Sequence, residues 1–207
     1  DSKENNIRNT LINILSTAKE LNSNFLSSEK GYTIETKLEF HREWGLGSSS
    51  TLINNIAQWA EVDAFQLLEK SFGGSGYDIA CAQSPGPLLY HLADGAPSWT
   101  PVNFDPSFKE NLFFVHLDKK QNSRHAIEYY NKKKPHAPEV IQTVSDLTDQ
   151  IATSRCVEDF NFNIKAHEEI IGKNLNMTPV KEQFFSSFDG EIIIYWHELR
   201  DTHTDSP

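Results

Sequence analysis

"EWGLGSSSTLINNIAQW", Glu43 to Trp59, sets two glycines and three serines directly ahead of a run with helical spacing. Leu52, Ile53, Ile56, Ala57 and Trp59 recur with the period of one helix face. The first turn of a helix leaves backbone N–H groups without intrahelical acceptors, and the helix dipole adds partial positive charge there. Glycines let such a loop approach a ligand without Cβ clashes, and serine hydroxyls add donors that also reach a metal ion. Gly45, Leu46, Gly47, Ser48, Ser49 and Ser50 therefore read as a phosphate-binding loop. The plainer reading of the same residues is a connecting loop with Ser48 or Ser49 as a helix N-cap. The loop has neither the Gly-Lys-Ser/Thr ending of a Walker A sequence nor the spacing of a dinucleotide fingerprint.

Upstream of the loop, "GYTIETKLEF" alternates Tyr32, Ile34, Leu38 and Phe40 with polar residues, which predicts a half-buried strand. Before it, Ile7, Leu11, Ile14, Leu15, Ala18 and Leu21 form a helical stripe. Downstream, "DAFQLLEKSF" predicts a short helix capped by Asp63. "GGSGYDIACA" breaks regular structure and "LLYHL" reads as a strand. The Pro- and Gly-rich "DGAPSWTPVNFDPS" reads as a connection between two domains, 1–95 and 96–207. In the second domain "NLFFVHL" and "EIIIYW" predict strands, and Ser123 to Asn131 a helix. "APEVIQTVSDLTDQIATS", "VEDFNFNIKAHEEIIGKNL" and the shorter "PVKEQFFSSF" predict three more helices. Strands and helices mix without strict alternation, so the expected class is α+β rather than a doubly wound parallel sheet.

A net charge of −10 over 207 residues argues against broad nucleic-acid or anionic-membrane binding, because both need a basic face. No apolar run approaches the length of a membrane span, and no signal-peptide pattern opens the sequence. Cys81 and Cys156 are too few for a disulfide framework and lack metal-binding spacing. The expectation is a soluble, cytoplasmic protein with reduced thiols. The histidines show no H-x-x-x-H or H-E-x-x-H spacing, and no G-x-S-x-G elbow occurs, so zinc and serine-hydrolase chemistry are not expected. Cys81 reads as a small buried hydrophobe, and Trp44, Trp59, Trp99 and Trp196 as packing residues.

A second chemical signal follows the first by about thirty residues. Asp78 comes directly after the glycine-rich turn Gly73-Gly74-Ser75-Gly76-Tyr77. An acid in that position can accept a proton from a substrate hydroxyl and orient it for attack on a phosphoryl group. The ordinary alternative is an aspartate that stabilises its own turn.

Together "GLGSSS" and "GGSGYDIA" resemble the GHMP kinases, the superfamily of galactokinase, homoserine kinase, mevalonate kinase and phosphomevalonate kinase. Gly45-Leu46-Gly47-Ser48-Ser49 matches the centre of that family's ATP-phosphate loop, P-x-G-x-G-L-G-S-S-A, with His41, Glu43 and Ser50 replacing its proline, first glycine and alanine. "GSGYD" is similar to the G-S-G-F-D of phosphomevalonate kinases. The likeness implies ATP and Mg2+ as cofactors, Asp78 as catalytic base and Ser49 as a magnesium ligand. It implies Glu69 as a second metal ligand, a position that equally suits an exposed helix carboxylate. Ser75 and Gly76 would belong to the substrate pocket. Lys119, Lys120, Ser123 and Arg124 either meet an anionic substrate there or form a solvated turn with Ser123 as N-cap.

The resemblance covers the middle of the family's motif order, without its first motif, its lysine or its third glycine-rich motif. It implies a partial GHMP-kinase fold with a mixed α/β ATP-binding part and a ferredoxin-like α+β second part. The implied activity is transfer of the γ-phosphoryl group of ATP to mevalonate or phosphomevalonate. The alternative is a catalytically inactive relative that binds nucleotide, or that self-associates as a homodimer through an open strand edge.

Overall fold

A computed structural model describes residues 2–93, 95–115, 130, 132 and 137–192. They divide into two compact units, one up to Thr100 and one from Pro101 onward. In the first unit, helices α1 (Ser2–Leu21), α2 (Ser48–Ala60), α3 (Ala64–Ser71) and α4 (Tyr77–Gln83) precede a hairpin of β1 (Leu88–Ala93) and β2 (Ala96–Pro101). The second unit holds α5 (Pro138–Thr153), α6 (Val157–Leu175) and the short α7 (Val180–Phe184). The class is α+β, with helices dominant and one two-stranded sheet among the described residues.

The core of the first unit is the meeting of three helical stripes. Ile14 and Ala18 of α1, Ile53, Ile56 and Ala57 of α2, and Leu67 and Leu68 of α3 form one buried cluster that also takes in Ile79 of α4. Ile7 and Leu11, nearer the start of the α1 stripe, stay 50% and 39% exposed. Polar side chains fix the far ends of the helices. Asn13 Nδ2 donates to Ser71 O (2.6 Å), and Asn22 Nδ2 donates to Ala60 O (2.8 Å). Asp63 caps α3 as its sequence predicts, accepting from the Gln66 amide at 2.8 Å.

Four sequence expectations need correction. Gly31 to Phe40 is neither strand nor helix, because no described strand lies beside it to complete a ladder. "GGSGYDIACA" does not break structure throughout: Gly76 ends the turn, and α4 starts at Tyr77. "DGAPSWTPVNFDPS" is not all connection, since Ala96–Pro101 is β2. An Asp-Gly pair separates the two strands, the dipeptide that favours two-residue hairpin turns, and Gly95 has φ 78°. In "NLFFVHL", Asn111 ends a single 3-10 turn (Lys109–Asn111), and 112–115 form no ladder. The helix expected from Ser123 lies outside the described residues, apart from Tyr130, as does the "EIIIYW" strand from Ile193 onward.

In the second unit, α5 and α6 pack along Val144, Ile171 and Leu175, while Phe160 and Ile164 of α6 pack with Phe108. Glu168 falls between these two apolar groups along α6 and is itself buried. Its carboxylate lies 3.9 Å from His167 Nδ1.

The completely buried Leu67 anchors the first core. Leu67→Ala is expected to lower the unfolding free energy by about 2–5 kcal/mol. Ile12→Ala, at a half-exposed position of α1, is expected to change it by no more than about 0.5 kcal/mol. Urea denaturation of both variants measures the difference.

Candidate functional site

The glycine-serine loop becomes helix at Ser48, with Gly47 as N-cap in the left-handed region (φ 68°) and no side chain capping it. Neither Ser48 nor Ser49 is the cap. The first intrahelical hydrogen bond runs from the Thr51 amide to Gly47 O (2.9 Å), and Thr51 Oγ1 donates to the same carbonyl (3.1 Å). The amides of Ser48, Ser49 and Ser50 therefore have no acceptor within α2. Gly45 (φ 74°), Leu46 and Ser49 are exposed, so this helix end opens to solvent.

Asp78 stands against this loop. A Cβ built on Gly47 would lie 2.9 Å from Asp78 Cγ and 3.0 Å from Oδ1. Only glycine fits there, for space as well as for backbone conformation. One turn further along, Gln83 Nε2 of α4 donates to Oδ1 of the buried Asn54 in α2 (3.0 Å). The contacts 47–78 and 54–83 advance in the same direction along both helices. Hence α2 and α4 lie side by side with their N-termini at one end, and Asp78, in the first turn of α4, sits between them.

The second glycine turn is built to deliver this acid. Gly76 is the N-cap of α4 (φ 84°), and a Cβ there would meet Phe65 Cδ1 at 2.8 Å. Phe65 stacks on Trp99 of β2 at 5.3 Å. Ser75 Oγ accepts from the Tyr77 amide (3.3 Å), and the Tyr90 hydroxyl of β1 donates to Ser75 O. Tyr90 is buried and packs edge-on against Tyr77 at 5.7 Å. Ser75 and Gly76 are thus engaged in holding the turn. Neither Phe65 nor Tyr90 stands out in the sequence as a site residue. The available signal was the Leu88, Tyr90, Leu92 alternation, which turns Tyr90 inward.

Other expected residues are placed differently. Glu69 is exposed on α3, one helical turn beyond Phe65. Among the described residues, no group of three His, Cys, Asp or Glu side chains is placed to hold a metal ion. The Ser49 hydroxyl at the exposed α2 end has the chemistry for a magnesium ion that would arrive on a polyphosphate and keep most of its water, rather than for one in a protein cage. Cys81 is exposed on α4, not buried: it lies past Ile79 and Ala80, which take the inward face. Lys119, Lys120, Ser123 and Arg124 lie outside the described residues. No helix among the described residues is long and apolar enough to cross a membrane.

No protein-family model matches the chain, and neither does any curated protein or solved structure.

Gly47→Ala is expected to destabilise the first unit by about 1–3 kcal/mol, through its left-handed backbone and the clash with Asp78. In an Asp78→Ala background the clashing Cγ and Oδ1 are gone, so that cost should shrink by about 1 kcal/mol. A double-mutant cycle followed by denaturation tests the contact.

Proposed function

We propose that the chain is an ATP-dependent small-molecule kinase of the GHMP type, acting on mevalonate or its phosphate. The observation that carries this reading is the juxtaposition of Asp78 with Gly47 at the open N-terminus of α2. Two glycine turns far apart in sequence meet at one point, one offering free amides and the other a carboxylate. A phosphoryl-transfer site needs both, since its catalysis consists mainly of positioning and electrostatic stabilisation.

In this reading the amides of Ser48, Ser49 and Ser50 hold the ATP phosphates, and Gly45, Leu46 and Gly47 shape the approach. Magnesium, held by the nucleotide and the Ser49 hydroxyl, would offset charge on the phosphates. The Asp78 carboxylate takes the proton of the acceptor hydroxyl as its oxygen bonds to the γ-phosphorus. The bond from that phosphorus to the β–γ bridging oxygen breaks, and ADP leaves. With a phosphate as acceptor, Asp78 orients the attacking oxygen. The Gly-Ser-Gly-Tyr-Asp string favours the phosphorylated acceptor.

A second reading, a protein that binds nucleotide without transferring phosphate, draws on the exposed position of Glu69, which leaves the proposed metal site with few protein ligands. Calorimetry with magnesium-ATP, alongside turnover on mevalonate and phosphomevalonate, separates the two. Asp78→Asn is expected to lower turnover by about 10²–10⁴-fold while leaving nucleotide affinity nearly intact. Equal turnover in parent and variant removes Asp78 from the chemistry, and binding without any turnover favours the second reading.

A further inference from the structure

Between Tyr32 and Phe40 the chain has the pattern of a strand, with no partner strand among the described residues. Tyr32, Ile34, Leu38 and Phe40 fall on even positions with Thr36 at their centre, and Thr33, Glu35, Lys37 and Glu39 fall on odd ones. Such a period turns all apolar side chains to one face once a neighbouring strand is present. No backbone hydrogen bond joins residues 31–40 to another described residue. Ile34 is 56% and Leu38 44% exposed. One end of this apolar set is anchored: Tyr32 meets Trp59 of α2 edge-on at 5.7 Å, and Trp59 meets Phe25 at 4.7 Å. Among the described residues no strand lies alongside the segment.

We propose that this segment pairs antiparallel with the same segment of a second copy of the chain, about a two-fold axis at Thr36. The sequence is complementary to itself in that register. Glu35 then faces Lys37 of the other copy twice, Ile34 faces Leu38 twice, Tyr32 faces Phe40 twice, and Thr36 faces Thr36. Cross-strand pairs of opposite charge, of apolar residues and of threonines each stabilise a sheet. Neighbouring registers fail. Shifting the axis to Glu35 sets that carboxylate against its own copy, and shifting it to Lys37 opposes two lysines and sets Glu35 against Glu39. A parallel in-register pair places like charges together along the whole odd face. The two-fold arrangement is also the one that closes after two chains. The pairing is independent of whether the chain transfers phosphate.

Charge reversal tests the register. Sedimentation over a range of concentrations is expected to show a monomer–dimer equilibrium for the parent chain. Glu35→Lys and Lys37→Glu each place like charges opposite one another at two symmetric positions, and each should raise the dissociation constant by about tenfold. The double variant, Glu35→Lys with Lys37→Glu, restores opposite charges and should return the constant to within about threefold of the parent. Both sites are exposed, so helical ellipticity at low concentration should match the parent. A chain that stays monomeric at every concentration overturns the proposal. So does a dimer that both single reversals leave intact, or one that the double variant fails to restore.

Discussion

Asp78 reaches the start of α2 only because residue 47 has no side chain. That one close approach organises the end of the first unit where α2 and α4 begin. It requires α2 and α4 to lie side by side in the same sense, which the Asn54–Gln83 hydrogen bond also demands a turn or more further along. It goes with the left-handed backbone at Gly47, from which α2 begins at Ser48 with its first three amides lacking acceptors within the helix. A larger residue at 47 would strain the left-handed backbone and displace the Asp78 side chain at once. Space and conformation therefore select the same amino acid for separate reasons.

The acid's side of the contact depends on an aromatic frame. Phe65 lies under Gly76, Trp99 stacks on Phe65, and the Tyr90 hydroxyl holds the Ser75 carbonyl. α3, β1 and β2 thus each contribute one ring to a single glycine turn. The hairpin is small, and a two-stranded ribbon is marginal alone, so its packing on the turn and on α4 stabilises both partners. The loop Gly45–Leu46 is exposed by contrast, so the amide side is the open side.

Strongly periodic helices were legible from sequence alone. Val157–Leu175 carries Phe160, Ile164, Ile171 and Leu175 at helical spacing, and Asp63 announces the start of α3 with a side chain of the right chemistry. The meeting of the glycine-serine loop with Asp78 was legible as chemistry, because each half has a recognisable composition. Its geometry was not, since nothing local reports that Gly76 rests on Phe65. α4 was hidden by the glycines before it, which signal a break but equally serve as a left-handed cap. β2 was hidden by proline and glycine, although the Asp-Gly pair is itself a hairpin signal. The alternation from Tyr32 to Phe40 was read correctly as a pattern. A strand, however, exists only when its hydrogen bonds are exchanged with a neighbour, and periodicity in one segment cannot supply the other.

Charge sets the last constraint on the proposed chemistry. The two helix ends that flank Asp78 each carry roughly half a positive charge. One carboxylate between them offsets about that much, so the site by itself offers a polyphosphate oriented amides rather than a net positive charge. The chain as a whole carries −10 and repels anions at long range. On the kinase reading, then, a nucleotide enters with its charge already reduced by a divalent cation. Recognition falls to hydrogen bonds from Ser48, Ser49 and Ser50, which act at contact distance and are indifferent to the protein's overall charge. A loop of serines and glycines with no lysine suits that division of labour, since the cation brought by the substrate does what a lysine does in other phosphate loops.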